Sequence, residues 1–480
     1  MNILVTGATG YVGSRLVATL SSEHQVKSLV RDEISYKDKF GYLNTTICKG
    51  DLVDLESIKD YFQNVDIAFY LVHSLSAGNK FYDKELLCAQ NFIDAAKKNN
   101  VKRIIYLGGL SDDTKPLSPH LKSRNEVGEI LRSSGIPCIE LQSSIIIGEG
   151  GLSYEIMKSL VHKLPIMITP RWVSSLSQPI WINDVIEYLK ESISIDISDN
   201  LIVQIGGPSI VTYKNLMAAY AEIYGLKRFM IPVPVLTPRL SSLWLGLVTP
   251  AYARAGKKLI ESLKTNSIIT DKKGTELFNI TPVDFKEALK NVISMKETDM
   301  IGARWFDPVS SGPRLSNKAP LKEMKYKYQM TDERKITTTA NVTQAFKPIN
   351  DIGGSNGWYF ANFLWKIRGW LDLFVGGVGT RRTRFKKDKF VIGDTLDWWR
   401  ISDTIEGEMV EFKAEMKLPG EAYLKFSVNP SVKGSEIIQT AGFKTNNLAG
   451  ILYWYSLYPL HAFIFSRMIK AIKKRTLLVG

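Results

Sequence analysis

Cysteine is nearly absent. Cys48, Cys88 and Cys138 are scattered along 480 residues, with no Cys-x-x-Cys and no histidine beside them at ligand spacing. That argues against a disulfide framework and leaves no metal site to expect, so reduced thiols in a cytoplasmic protein are the plain expectation. The N-terminus enters strand-like sequence at once, which leaves no room for a secretory signal. Internal repeats and low-complexity tracts are missing as well. Long apolar runs are rare: Ser241 to Ala253 is only about half the ~20 residues a membrane span needs and reads as a pocket wall. What remains is 45% apolar and 23% charged, a globular composition with length for two or three domains. The net charge of +14 favours acidic partners in general: a phosphorylated cofactor, anionic lipid or nucleic acid.

The first twenty residues are the most informative. Asn2 to Thr6 reads as a buried strand, Gly7-Ala8-Thr9-Gly10-Tyr11-Val12-Gly13 as a glycine turn, and the apolar positions 12, 16, 17 and 20 as a helix. Gly7 suits a tight turn, Gly10 lets the main chain approach a pyrophosphate, and Gly13 lets the helix pack closely. Gly7, Thr9, Gly10, Tyr11, Val12 and Gly13 are therefore the candidate cofactor cradle, with phosphates facing free amides at the helix N-terminus. The next strand, Gln25 to Val30, ends in Arg31-Asp32. A guanidinium at this tip suits a 2′-phosphate, so Arg31 tilts the cofactor toward NADP over NAD. A further buried strand, Asp66 to Ser74, places His73 at the ligand-bearing edge as another site candidate.

The Gly-x-x-Gly-x-x-Gly spacing resembles that of extended and atypical short-chain dehydrogenases/reductases, over about the first 300 residues. The resemblance implies a third strand over Thr46 to Leu52, in which Asp51 and Leu52 border the adenine. It also implies a catalytic serine or threonine at the end of the fifth strand, Arg103 to Ser111, where this chain has Gly108 and Gly109 with Ser111 beyond. The family's Tyr-x-x-x-Lys is replaced on the next helix, which begins at Ser118: His120 takes the tyrosine position and Arg124 the lysine position. Histidine shuttles protons near neutrality and arginine can hold ribose hydroxyls, so His120, Arg124 and Ser111 are the candidate catalytic set. Tyr154 and Lys158 repeat the Tyr-x-x-x-Lys spacing on a later element and read as coincidence. Beyond Gly148 the chain is similar to a substrate lobe, with Arg171-Trp172-Val173 at its mouth and a helix capped by Asn183 or Asp184.

Near Ala303 to Pro313 periodicity stops and Pro, Gly and Ser cluster, so the chain divides into 1–300, a linker over 301–325, and a second domain over 326–480. The second domain reads as a strand over Lys335 to Phe346, an aromatic-rich helical stretch over Gly357 to Phe374, and four strands: Asp394 to Ile405, Glu408 to Leu418, Glu421 to Asn429 and Glu436 to Phe443. One long final helix follows. This α+β order resembles the START-like helix-grip fold, whose sheet wraps the last helix around an apolar cavity. The whole is thus expected to be an α/β doubly wound parallel sheet followed by an α+β unit. It is similar to bacterial two-domain proteins of poorly defined function, whose first unit is compared with the nucleotide-binding accessory subunit of NADH dehydrogenase.

Leu448 to Phe465 carries no formal charge over 18 residues and is followed by Arg467, Lys470, Lys473, Lys474 and Arg475. It reads as the lid of a ligand pocket interrupted by Pro459 and His461, with a membrane-surface or spanning segment as the alternative. The basic run Arg381 to Lys389 reads as a solvated loop; anionic lipid comes next and nucleic acid is not expected. Three functions follow: a cytoplasmic NADP-linked oxidoreductase acting on an apolar substrate, a non-catalytic dinucleotide-binding redox sensor docked to a membrane complex, and a lipid or quinone carrier.

Overall fold

The structure is a computed structural model; it describes residues 1–73, 81–110, 117–233, 262, 265–294, 326–353, 356–374, 390, 392, 394–416 and 418–477. Ser111, the 241–253 stretch, the proposed linker and the basic run 381–389 lie outside the described residues. The chain divides into two compact units, Met1–Phe306 and Asp307–Gly480.

The first unit is built on a seven-stranded parallel sheet. Its strands are β1 (Asn2–Thr6), β2 (Gln25–Val30), β3 (Thr45–Lys49), β4 (Ile67–Tyr70), β5 (Arg103–Gly109), β6 (Cys138–Ser143) and Leu201–Ile205. From one edge the order is the 201–205 strand, β6, β5, β4, β1, β2, β3. The order reverses between β1 and β4, and that reversal opens a crevice at the carboxyl ends of the strands. The strands are apolar on both faces because helices cover both: Ile3, Leu4 and Val5 of β1 and Ile104 and Ile105 of β5 are fully buried. Burial of each such side chain contributes roughly 1.5–3 kcal/mol. The helices that matter for the site are α1 (Tyr11–Leu20), α2 (Glu33–Phe40), α3 (Phe81–Lys98) and α4 (Pro119–Arg132). Ser118 caps α4 by accepting from the Leu121 amide at 3.2 Å, with Pro119 at the first helical position, where its missing N–H costs nothing.

Beyond β6 a smaller lobe gathers α5 (Leu152–Lys163), the helices Tyr213–Ile223 and Phe285–Ser294, and three two-stranded pairs around one apolar core. The Ile182–Glu191 helix starts from Trp181 with no side-chain cap, which corrects the expectation of capping by Asn183 or Asp184. Asp184 instead lies in the first turn and accepts from the Val283 amide at 3.0 Å.

The second unit is a six-stranded antiparallel sheet in the order Tyr328–Thr338, Gly434–Thr445, Glu421–Ser431, Met409–Ala414, Trp399–Ile405, Thr395–Leu396. The final helix, Leu448–Thr476, packs on it through Ile464, Phe465, Met468, Ile469 and Ile472. Several boundaries differ from expectation: the strand drawn over Glu408 to Leu418 ends at Ala414, and the helix drawn from Gly357 starts at Asn362. The strand drawn over Lys335 to Phe346 ends at Thr338, because Asn341 and Gln344 form a reciprocal capping box that starts a helix over Val342–Asn350. The strand drawn over Asp394 to Ile405 is folded back at Asp397, whose φ of 52° makes a turn between Leu396 and Trp399. Pro459 does not interrupt the final helix, which is continuous across it.

Candidate active site at the carboxyl edge of the parallel sheet

The glycine turn has the geometry of an anion cradle. Gly7 has φ +72°, and a Cβ there would stand 2.6 Å from Leu71 O. A Cβ on Gly13 would stand 2.2 Å from Gly7 O, so only glycine lets α1 close onto the turn. Gly10 is the helix N-cap and offers no side chain, which leaves the first-turn amides of Tyr11, Val12 and Gly13 for a ligand. Thr9 is exposed at the lip, and Val12 is half-buried. Tyr11 points its ring toward Gly148 and Gly151, where a Cβ at either glycine would meet it; Arg15 stacks on the same ring at 4.3 Å.

Arg31 stands exposed directly after β2. Asp51 and the buried Leu52 follow β3, with the Asp51 carboxylate accepting from the Val53 amide at 3.3 Å and Leu52 O from the Asn91 side chain at 2.8 Å. Burial pushes the Cys88 thiol of α3 up to about 11, with the Asp51 charge adding to the rise and Arg31 opposing it.

At the tip of β4 the fold assembles a chain of polar groups. His73 Nδ1 lies 2.6 Å from Glu85 Oε1, and Ser123 Oγ donates to Glu85 Oε2 at 2.5 Å. His73 Nε2 faces His120 Nε2 at 2.8 Å, His120 Nδ1 lies 2.9 Å from Ser262 Oγ, and Ser262 Oγ lies 2.8 Å from Ser118 Oγ. An ionised Glu85 accepts only, so with both rings neutral the protons are ordered along the chain: Ser118 to Ser262, Ser262 to His120 Nδ1, His120 Nε2–H to His73, His73 Nδ1–H to Glu85. One added proton on the histidine pair reverses that order from His73 Nε2 outward, while His73 Nδ1–H still donates to Glu85. His120 Nδ1 then donates toward Ser262, while the carboxylate, on a residue only 4% exposed, stabilises the imidazolium it touches.

Arg124, one helical turn beyond His120, donates to Leu107 O of β5 and lies 4.9 Å from the Tyr106 ring, whose hydroxyl donates to Arg124 O at 2.9 Å. The structure also explains the glycines at the tip of β5. A Cβ on Gly108 would be 2.9 Å from Glu140 Oε1, and Glu140 is buried beneath the strand, so a serine at 108 has no room. Tyr154 and Lys158 are placed elsewhere, on α5: Tyr154 is buried against Tyr220 and Lys158 Nζ is held by Glu149 at 2.6 Å.

The fold thus brings together His73 and His120, with Arg124 on the same helix as His120. Glu85, Ser123, Ser118 and Ser262 were not anticipated. Glu85 had a signal, since it is a carboxylate on the apolar stripe of α3 with Ala89, Phe92 and Ala96. Ser262, 142 residues from His120, had none.

Residues 1–149 match the NmrA-like family. The first unit carries an NmrA-like, atypical short-chain dehydrogenase/reductase domain. Residues 325–468 match a family described as a protein of unknown function, DUF2867. The chain is 28% identical over 158 residues to phenylcoumaran benzylic ether reductase Betv6 of Betula pendula, covering 30% of this chain and 49% of that protein. It is 24% identical over 147 residues to an undecaprenol-linked N-acetylglucosaminyl-diphosphate 4-epimerase of Escherichia coli O157:H7, covering 27% and 43%. It therefore spans less than half the length of either. Protein FMP52, mitochondrial, of Candida albicans is 23% identical over 228 residues, 45% of this chain and 99% of that one. The triphenylmethane reductase of Citrobacter sp. superposes with a TM-score of 0.51 at 18% identity, over 62% of this chain and all of that one, and shares the fold.

Proposed function

We propose that the first unit is an NADP-linked reductase in which the Glu85, His73, His120, Ser262 chain replaces the usual tyrosine and lysine as the proton source. The chain itself is the observation that carries this reading. Four titratable or hydroxyl groups within hydrogen-bond reach, ending at a buried carboxylate, hold and pass one proton at the edge of the sheet where the cradle opens. The cradle suits a pyrophosphate: Gly7 and Gly13 have no space for a side chain and the first amides of α1 are uncapped. Arg31 would take the 2′-phosphate, Asp51 and Leu52 would border the adenine, and Arg124, anchored to Leu107 O, would keep guanidinium donors for ribose hydroxyls. When bound, the dinucleotide supplies a hydride. With the histidine pair protonated, Ser262 gives its hydroxyl proton to the carbonyl oxygen, His120 Nδ1–H replaces it, and the neutral pair left beside the ionised Glu85 regains a proton from solvent.

The substrate we propose is an apolar carbonyl compound, lipid-like or quinone-like. Support comes from the second unit, whose interior combines Trp358, Trp398, Trp399 and Phe412 with polar atoms that have no hydrogen-bond partner among the described residues: Arg334 Nε, both amide atoms of Gln439, Trp365 Nε1 and His461 Nδ1. Gln439 is 1% exposed and pairs across the sheet with Arg334. Unpartnered buried groups of this kind cost about 1–3 kcal/mol each, which a ligand oxygen offsets.

The test is NADPH oxidation by the purified full chain with a panel of hydrophobic ketones, aldehydes and quinones, repeated with His120→Gln. Turnover that falls sharply in the variant while NADPH affinity stays constant supports the reading. NADPH binding without turnover on any compound favours the redox-sensing alternative, and turnover indifferent to His120 removes the proton chain from the mechanism.

A further inference from the structure

The outward stripe of the final helix is not a surface that water favours. Leu448, Leu452, Tyr455 and Phe463 are 75%, 73%, 62% and 52% exposed, and their spacing puts them on one side of the helix. The same stripe continues as Arg467, Lys470 and Lys474, all exposed, so it is apolar for about four turns and cationic for the last two. A second helix, Asn362–Phe374, lies beside it: Arg368 donates to the Tyr453 hydroxyl at 2.7 Å, and Phe360, just before that helix, meets Phe463 at 5.6 Å. It adds a parallel stripe of Phe363, Ile367 and Leu371, each exposed and four residues apart. Two adjoining helices therefore present one apolar face bordered by fixed positive charge. Isolated exposed leucines need no explanation, but a contiguous patch of this kind does.

We propose that this face lies on an anionic lipid bilayer, its apolar side chains entering the headgroup and acyl boundary and Arg467, Lys470 and Lys474 meeting lipid phosphates. The helix is long and apolar enough to cross a membrane, but its other side is already committed. Trp454 stacks on Phe443 of the sheet, and Ile464, Phe465, Met468, Ile469 and Ile472 are in the core of the unit. Spanning would strip that side from the protein, whereas lying on the surface uses both sides at once. The charge sequence along the stripe also fits a bilayer better than a protein groove, because apolar side chains and cations are segregated end to end at the level where acyl chains give way to phosphates. This inference concerns the second unit alone and does not depend on the chemistry assigned to the first.

The experiment is sedimentation of the full chain with vesicles of phosphatidylcholine containing about a third phosphatidylglycerol, against phosphatidylcholine alone. Strong binding to the anionic vesicles is expected, with high salt weakening it. Replacing Arg467, Lys470 and Lys474 together by glutamine should weaken binding on the order of 100-fold, and Leu452→Ser with Phe463→Ser should abolish it. Both variants alter exposed positions, and an unchanged circular dichroism melt confirms that they fold. Three results would overturn the proposal: binding that neither variant changes, protein that resists extraction by alkaline carbonate as a spanning segment does, or no vesicle binding together with a solution dimer that Leu452→Ser dissociates.

Discussion

The two units arrange the polar groups at their centres differently. In the first, a parallel sheet delivers every loop of the crevice to one edge, and the polar groups there are linked from Ser118 to Glu85. In the second, the last helix packs on an antiparallel sheet, and Gln439, His461 and Trp365 keep polar atoms in an aromatic interior with no partner among the described residues. The first arrangement is ready to move a proton among its own groups. The second is ready to receive polar atoms from something else. Whether the polar groups serve one another in one unit and an incoming molecule in the other is tested by changes at single residues.

The largest effect is expected at His120. His120→Ala removes the middle of the chain, and turnover should fall about 10²- to 10⁴-fold while NADPH affinity, measured by fluorescence titration, stays within about twofold. Loss of binding instead would make His120 a cradle residue. The next largest concerns His461. Burial, with the Arg368 charge adding to it, lowers its pKa from 6.5 to about 4. The unfolded chain takes up this proton near pH 6.5 and the folded one only near 4, so the second unit is fully stable above about 6.5 and loses up to about 3 kcal/mol as pH falls to 4. His461→Leu should flatten that loss in melts followed by tryptophan fluorescence. An unchanged acid profile would show that the interior is wetter than described.

Arg31→Asp should move the ratio of NADPH to NADH affinity by about tenfold toward NADH, as separate titrations would show. No movement would take Arg31 away from the 2′-phosphate. The smallest effect is at Asp184, where burial pushes the carboxyl up to about 6 even though the Val283 amide bond opposes the shift. Its charged form is therefore disfavoured in the folded state above pH 6, and the penalty disappears as pH falls toward 4. Asp184→Asn should stabilise the first unit by about 1 kcal/mol at pH 7.5 and by nothing near pH 4, read from thermal melts.

Most of the first unit was legible because its signals are local. Gly7, Gly10 and Gly13 act within one turn, β2 lies where its apolar run does, and Ser118 with Pro119 announces α4. The proton chain was only half legible. His73 and His120 stand at predictable tips, but Glu85 lies mid-helix and Ser262 arrives from a distant segment, so only the folded topology joins them. In the second unit the alternation of Glu421 to Asn429 announced its strand, whereas Asn341 and Asp397 broke two apparent strands through a cap and a left-handed turn that periodicity does not register.

That the glycine cradle holds a dinucleotide is tested most directly by titration of the purified chain with NADPH and NADH, followed by nicotinamide fluorescence and thermal shift. Saturable binding is expected, tighter for NADPH, and lost in Gly13→Val, whose side chain would collide with Gly7 O. Absence of any fluorescence change or thermal protection with both coenzymes would contradict it.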